Sequence, residues 1–241
     1  MIAEDKESAQ KITSPSEDLI AQSSVPFNMP LKDAVEYLKV RIKGISLDGL
    51  ELDGGVQSFK DGILEIRKAS INNLSNKNLD NRGMGEFLKD TMLVQSKSPE
   101  IRSLADKITA EERDPLKKAS LINQWVYDNI EKTPALTIPS ALDVLKTRRG
   151  DCNEHTTLYT AIARAAGIPA RIAVGLVHKD GAFYYHAWPE VYMGGWIPID
   201  PTFGEFPADA SHIRLLTGEL DKQIRLASII GKIELEGLEA R

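Results

Sequence analysis

Arg149-Gly150-Asp151-Cys152-Asn153-Glu154-His155-Thr156-Thr157-Leu158 is the stretch on which the fold of this chain turns. It holds the only cysteine among 241 residues. Apolar side chains follow at Leu158, Ile162 and Ala165, with Ala161 and Ala166 beside them, a spacing that lines one face of a helix. Gly167 supplies a C-terminal stop, and Pro169 prevents continuation. Cys152 therefore belongs at or near the start of a helix of about four turns. Orphan N–H groups and the positive end of the helix dipole gather at such a start, and sites of this kind lower a thiol pKa from its usual ~8.5. A lone cysteine is more often a small buried hydrophobe, so the case for a nucleophile depends on what comes after it.

Two strand patterns come after it. Tyr185-His186-Ala187-Trp188-Pro189-Glu190-Val191-Tyr192 is one, and Trp196-Ile197-Pro198-Ile199-Asp200, beyond the turn at Gly194-Gly195, is the other. A cysteine, a histidine and an aspartate thus occur in order, the last two on neighbouring strands.

Four segments carry a family resemblance. Gly150-Asp151-Cys152-Asn153-Glu154-His155, Ala165-Ala166-Gly167-Ile168-Pro169-Ala170-Arg171, His186-Ala187-Trp188-Pro189-Glu190-Val191-Tyr192 and Trp196-Ile197-Pro198-Ile199-Asp200-Pro201-Thr202 resemble, in this order, the bacterial transglutaminase-like domains. The resemblance is specific over residues 98–205 and looser outside them. It implies an α+β, papain-like core of helices followed by an antiparallel sheet. It also implies a thiol enzyme with Cys152 as nucleophile, His186 as base and Asp200 as orienting acid. The implied reaction is attack on a protein or peptide amide through a thioester, leading to hydrolysis (protease, peptidase or amidohydrolase). Transfer to an amine, as in a protein-glutamine gamma-glutamyltransferase, is the alternative within the class. A non-catalytic binding module of a larger envelope protein is the alternative outside it.

Strand alternation sets a condition on that trio. A two-residue turn at Gly194-Gly195 would put Pro189 opposite Asp200 and face His186 away. A three-residue loop, Met193-Gly194-Gly195, puts Trp188 opposite Asp200 and makes His186 its diagonal neighbour on the same face. The three-residue loop, or an equivalent bulge, is therefore expected. The three groups then divide the chemistry. The thiol needs a proton acceptor, histidine can take and return that proton near neutral pH, and aspartate fixes the imidazole tautomer. The backbone N–H of Cys152 is the first candidate oxyanion donor.

Tyr184, Trp188 and Trp125 are candidate walls of the acyl site, though strand and helix aromatics are core by default, as for Trp196. His155 packs or hydrogen-bonds beside the site; Cys152-x-x-His155 without a second paired motif is a poor zinc signature, so no metal and no cofactor is expected. His178 and His212 are expected at the surface or at strand ends. Glu190 is either near the site or salt-bridged.

The rest of the chain supplies the setting. A net charge of −5 with interspersed signs argues against nucleic acid, and the partner expected is a protein or peptide substrate. No stretch has the ~20 apolar residues of a membrane span, and the first twenty residues lack the apolar region of a signal peptide. Either a cytosolic protein or an exported or periplasmic domain without its signal fits this. One cysteine cannot form an internal disulfide. Three regions are expected: a flexible arm at 1–24, a small β module and connection at 25–97, and the catalytic domain at 98–241. In the module, Leu38–Lys43 alternates apolar and cationic residues, and strands fit Val56–Lys60 and Ile63–Arg67. Its Asp-Gly pairs are turn chemistry; their spacing is not that of a calcium loop. Phe87, Leu88, Met92, Leu93 and Val94 are expected to anchor the connection. Ser98-Pro99, Asp114-Pro115 and Ser140-Ala141-Leu142-Asp143 open three helices. Arg171–Val177 and Phe183–Tyr192 form a hairpin around Lys179-Asp180-Gly181, and further strands fit Ser211–Leu215 and Lys232–Glu236.

Overall fold

The computed structural model describes residues 24–32, 34–72, 82–134, 140–219 and 231–241; the arm expected at 1–24 lies outside these apart from Ser24. In chain order the strands and helices are β1 (Val25–Pro26), β2 (Tyr37–Lys43), β3 (Gln57–Lys60), β4 (Ile63–Arg67), α1 (Pro99–Thr109), α2 (Pro115–Asn129), β5 (Glu131–Lys132), α3 (Ala141–Thr147), β6 (Arg149–Gly150), α4 (Cys152–Ala165), β7 (Ala170–Lys179), β8 (Ala182–Tyr192), β9 (Trp196–Pro198), β10 (His212–Thr217) and β11 (Glu234–Ala240). This is the α+β arrangement that the resemblance implies, helices first and antiparallel sheet after.

The helices start where their caps dictate. Ser98 Oγ accepts the Ile101 N–H, Asp114 accepts that of Leu116, and proline occupies the first turn of each helix. Ser140 Oγ accepts the Asp143 N–H to open α3. The strongest cap belongs to α4. Asp151 accepts the Asn153 N–H at 2.8 Å, while Glu154 Oε2 accepts the Asp151 N–H at 3.0 Å, a reciprocal capping box.

The main sheet is ordered β1-β8-β7-β10, with β9 also on β8. The hairpin β7–β8 runs from Ala170↔Val191 to Lys179↔Ala182 without a break. β9 pairs with β8 as Glu190↔Pro198, Val191↔Ile197 and Tyr192↔Trp196, which leaves the three-residue loop Met193-Gly194-Gly195. Gly194 takes the left-handed conformation the loop requires, at φ +82°. β1 covers only Ala182 and Phe183 of β8, and β9 covers only its far end. Between them α4 lies against β8: Thr156 Oγ1 donates to the Ala187 carbonyl at 3.0 Å. Leu158, Tyr159, Ala161 and Ile162 of α4 are completely buried, as are Ile101 and Ala105 of α1 and Ile122 and Val126 of α2.

A second sheet, β11-β2-β4-β3, forms the small module. Leu38, Val40, Leu64 and Ile66 are fully buried beneath it, while Lys39, Arg41 and Lys43 point away and pair with Glu65 and Glu236. The strand expected at Lys232–Glu236 is β11; it pairs with β2, so the module draws on segments 195 residues apart. One side chain ties this module to the main sheet. Arg214 on β10, only 2% exposed, donates to the carbonyls of Glu51, Asp53 and Gly54 and to Glu190. Gln57 adds to the tie, accepting the Arg214 N–H and donating to the Arg214 carbonyl. Of the expected anchors in the connection, Val94 is buried, whereas Met92 is 87% exposed. Among the described residues, no helix is long and apolar enough to cross a membrane.

Candidate active site

Cys152 is the first residue of α4. Gly150 delivers it: a Cβ at that position would lie 2.3 Å from both Cβ and Cγ of Glu154, so the capping glutamate can fold over the backbone only because residue 150 has no side chain. The Ala187 N–H favours the ionised form of the Cys152 sulfur. The Ala187 carbonyl is bonded by Thr156, one turn beyond Cys152, which ties the first turns of α4 to the residue that follows His186.

Cys152 keeps part of its surface open to solvent. Even so, burial of the sulfur pushes the thiol pKa well above its ordinary value, and the charges of Asp151, Asp200 and Glu154 add to this; the Ala187 N–H pulls the other way. A helix start alone suggests a depressed value. Desolvation, together with the acids of the cap, reverses that expectation here.

His186 Nε2 lies 2.6 Å from Asp200 Oδ2. A carboxylate can only accept, so Nε2 carries the proton, and in the neutral ring Nδ1 has a free lone pair. His186 is flanked by Phe203, at 4.9 Å and 4° between ring planes, and by Trp188, at 6.0 Å and 21°. Asp200 is fully buried, and both of its oxygens are engaged. Its Oδ1 accepts the Thr202 and Phe203 N–H groups at 2.7 and 3.1 Å, and its Oδ2 accepts from His186 and also from His212 Nε2 at 3.0 Å. Burial opposes its ionisation, but the two imidazoles outweigh burial and hold the carboxyl well below the usual range.

His212, expected at the surface or a strand end, opens β10 but is only 2% exposed. Burial disfavours its charge; Asp200 and Asp209 more than compensate, raising its pKa from 6.5 to about 10. Sequence reasoning missed this residue because the pairing of β10 with β7, His212↔Val177, is what carries it inward.

The remaining candidates fall into place around these. Trp188 is 1% exposed and packs against both His186 and His212, so it supports the imidazoles from within. Tyr184 is half-buried, on the same strand face as His186 and opposite Val177. Trp125 is half-buried on α2 beneath the Arg148 guanidinium, 4.7 Å from the ring centroid. Trp196 lies away from His186, against Phe87, Tyr192 and Arg171. Glu190 is salt-bridged to Arg171 at 2.6 Å and to Arg214 at 3.2 Å. His155 is fully buried and donates from Nδ1 to the Asp151 carbonyl at 2.7 Å, which supports the cap rather than a metal. Asn153 and Phe203 do not stand out in the sequence; Asn153 Oδ1 accepts the Tyr185 hydroxyl at 3.1 Å, and the D-x-x-E cap beside it was the available signal.

Among the described residues, His186, Asp200 and His212 offer polar atoms within 4.8 Å of one another, as do Glu205, Asp209 and His212. Ring protons already join the first set, so it is a hydrogen-bonded network. Phe203 also lines a cavity of about 730 Å³ with Tyr127, Lys132, His178, Lys179 and Ser211.

Comparison with known proteins finds similarity over the region that holds this site. Residues 102–201 match the family model described as Transglutaminase-like superfamily. A Haemophilus influenzae protein without an assigned activity is 30% identical over 159 residues, 54% of this chain and 41% of that one. A protein-glutamine gamma-glutamyltransferase of Pseudomonas aeruginosa is 29% identical over 139 residues, 49% of this chain and 20% of that one. The matched region thus spans less than half the length of either relative. A solved candidate cysteine protease from Cytophaga hutchinsonii shares the fold at TM-score 0.52 and 22% identity, covering 90% of this chain and 82% of its own. Over residues 102–201, this chain is similar to the Transglutaminase-like superfamily.

Proposed function

We propose that this protein is a thiol enzyme acting on protein or peptide amides, with Cys152 as nucleophile, His186 as general base and then acid, and Asp200 as the group that orients His186. The observation that carries the reading is the 2.6 Å contact from His186 Nε2 to Asp200 Oδ2. It puts the ring proton on Nε2 and leaves Nδ1 to receive the thiol proton. Because the resting thiol is pushed upward, deprotonation accompanies attack. Sulfur bonds to the amide carbon, the carbonyl oxygen takes the negative charge against the Cys152 N–H, and imidazolium returns its proton to the departing amine. Water, activated by the same imidazole, then releases the acid from the thioester.

Hydrolysis is the primary reading. Acyl transfer to an amine is the second, supported by the name of the Pseudomonas aeruginosa relative. A pool of glutamine-containing peptides incubated in ¹⁸O-water, with and without a fluorescent primary amine, separates the two by mass. Cleavage or deamidation with ¹⁸O incorporation supports hydrolysis, and amine adducts support transfer. Activity that survives Cys152→Ala overturns Cys152 as the nucleophile, and the absence of both products overturns the enzyme reading in favour of a binding module. Asp200→Asn should reduce turnover by about 10²–10⁴-fold through loss of the correct tautomer.

A further inference from the structure

We propose that His212 is a positioning residue for the Cys152–His186 pair. Its ring spans two carboxylates, holding Asp200 with one nitrogen and facing Asp209 with the other, so that Asp200 serves two imidazoles at a single oxygen. The inference rests on the enzyme reading above but is tested apart from it.

The geometry is specific. His186 Nε2 and His212 Nε2 approach the same atom, Asp200 Oδ2, at 2.6 and 3.0 Å. Both must donate, because an ionised carboxylate has no proton to give. That leaves His212 Nδ1 facing Asp209 Oδ1 at 3.4 Å, within ion-pair reach though poorly aligned as a hydrogen bond. Asp209 is itself fixed: Oδ1 accepts the Ser211 N–H and hydroxyl at 2.8 and 2.6 Å, and Oδ2 accepts the Val35 N–H at 2.9 Å. Glu205, whose backbone pairs with that of Asp200, adds a third carboxyl on that side. From β8, His186 and Trp188 face the ring at 5.9 and 5.2 Å between centroids, and from β7 its strand partner is the apolar Val177. A ring in that position gains by holding a second proton, and the raised pKa agrees.

Two consequences follow for His186. The Nε2–H of His212 restricts the rotation of Asp200 and so fixes the direction from which His186 is gripped. The charge on His212 also opposes a second positive charge on His186, 5.9 Å away. His212 therefore keeps Asp200 in place while limiting how far it stabilises imidazolium, which favours a base that gives its proton up again in the second half of the reaction.

The test uses histidine ring NMR. The chain has four histidines, so each titration can be followed, and the His186 signal is assigned by its loss in His186→Asn. His212→Gln keeps a donor toward Asp200 and removes a like charge 5.9 Å from the His186 ring, so the measured His186 midpoint should move upward. Asp209→Asn leaves the charge on His212 less balanced and should move the same midpoint downward. A folded His212→Gln with an unchanged His186 midpoint, or shifts of the same sign in both variants, overturns the proposal. Should His212→Gln fail to fold, the direction in Asp209→Asn decides by itself. Alkylation of Cys152 by iodoacetamide is measured in parallel. His212→Ala, which loses both donor and charge, should slow it by at least about tenfold at neutral pH, and His212→Gln should restore it. If the midpoints move as expected while wild-type Cys152 alkylates no faster than His186→Asn, the enzyme reading fails and the coupling between the two imidazoles stands.

Discussion

Thr156, one turn beyond Cys152 on α4, donates its hydroxyl to the carbonyl of Ala187, the residue after His186, at 3.0 Å. The helix that begins at Cys152 and the strand that carries His186 are thus joined by one side chain. Thr156→Val preserves shape and leaves that buried carbonyl without a partner, which should cost about 1–3 kcal/mol. Chemical denaturation followed by tryptophan fluorescence reads the loss. Thr156→Ser should recover most of it, and a Thr156→Val protein with an unchanged midpoint would show that the carbonyl finds another donor.

The Gly150 position makes a sharper steric prediction. In Gly150→Ala, Cβ meets Glu154 Cβ and Cγ at 2.3 Å, so Glu154 must leave the capping box. A cost of about 1–3 kcal/mol is expected, or a fall of roughly 2–12 °C in Tm for a chain of this size. The rate of Cys152 alkylation should change as the first turn shifts. An unaltered rate would mean that Glu154 does not set the position of the sulfur.

The two buried charges at Asp200 and His212 give opposite pH limbs. The Asp200 carboxyl is held below its ordinary 3.8, so its contribution is complete above about pH 4 and is lost as pH falls further. His212 is raised from 6.5 to about 10, so its contribution is complete below about 6.5 and declines as pH rises toward 10. Tm should therefore fall across pH 6.5–10 in the wild type, and that slope should flatten in His212→Gln. Equal slopes in the two proteins would place the alkaline loss elsewhere.

Arg214 is the fourth point of test. In Arg214→Met, three carbonyls of the 51–54 segment lose their donor and Glu190 keeps only Arg171, a loss of about 3–5 kcal/mol. Hydrogen exchange should show the 51–60 region opening first. A uniform loss of protection over all strands would instead make the two sheets one cooperative unit.

These residues also mark how far the sequence could be followed. The position of Cys152, the β7–β8–β9 meander and the three-residue loop were legible, because helix periodicity, Gly-rich turns and strand parity are local signals. The pairing of His186 with Asp200 followed from parity once the loop length was fixed. His212 and Arg214 were not legible, since their inward direction depends on β10 meeting β7 across more than thirty residues of chain. The elevated thiol was also hidden: the helix start is visible in the sequence, but the closeness of Asp151, Glu154 and Asp200 to one sulfur is a property of the folded site. Trp188 shows the converse, an aromatic in a site motif whose ring is turned inward to hold the imidazole.

The pairing of β2 with β11 has a bearing on synthesis. With Glu236 195 positions after Arg41, a ribosome must make the helices and the main sheet before the partner of β2 emerges. Until then, β2 presents a bare strand edge, the kind of surface that recruits other nascent chains. Lys39, Arg41 and Lys43 lie along that edge. In the finished protein they are salt-bridge partners; until Glu236 arrives to neutralise two of them, the same three cations carry the charge placement that disfavours pairing with a second copy of the strand.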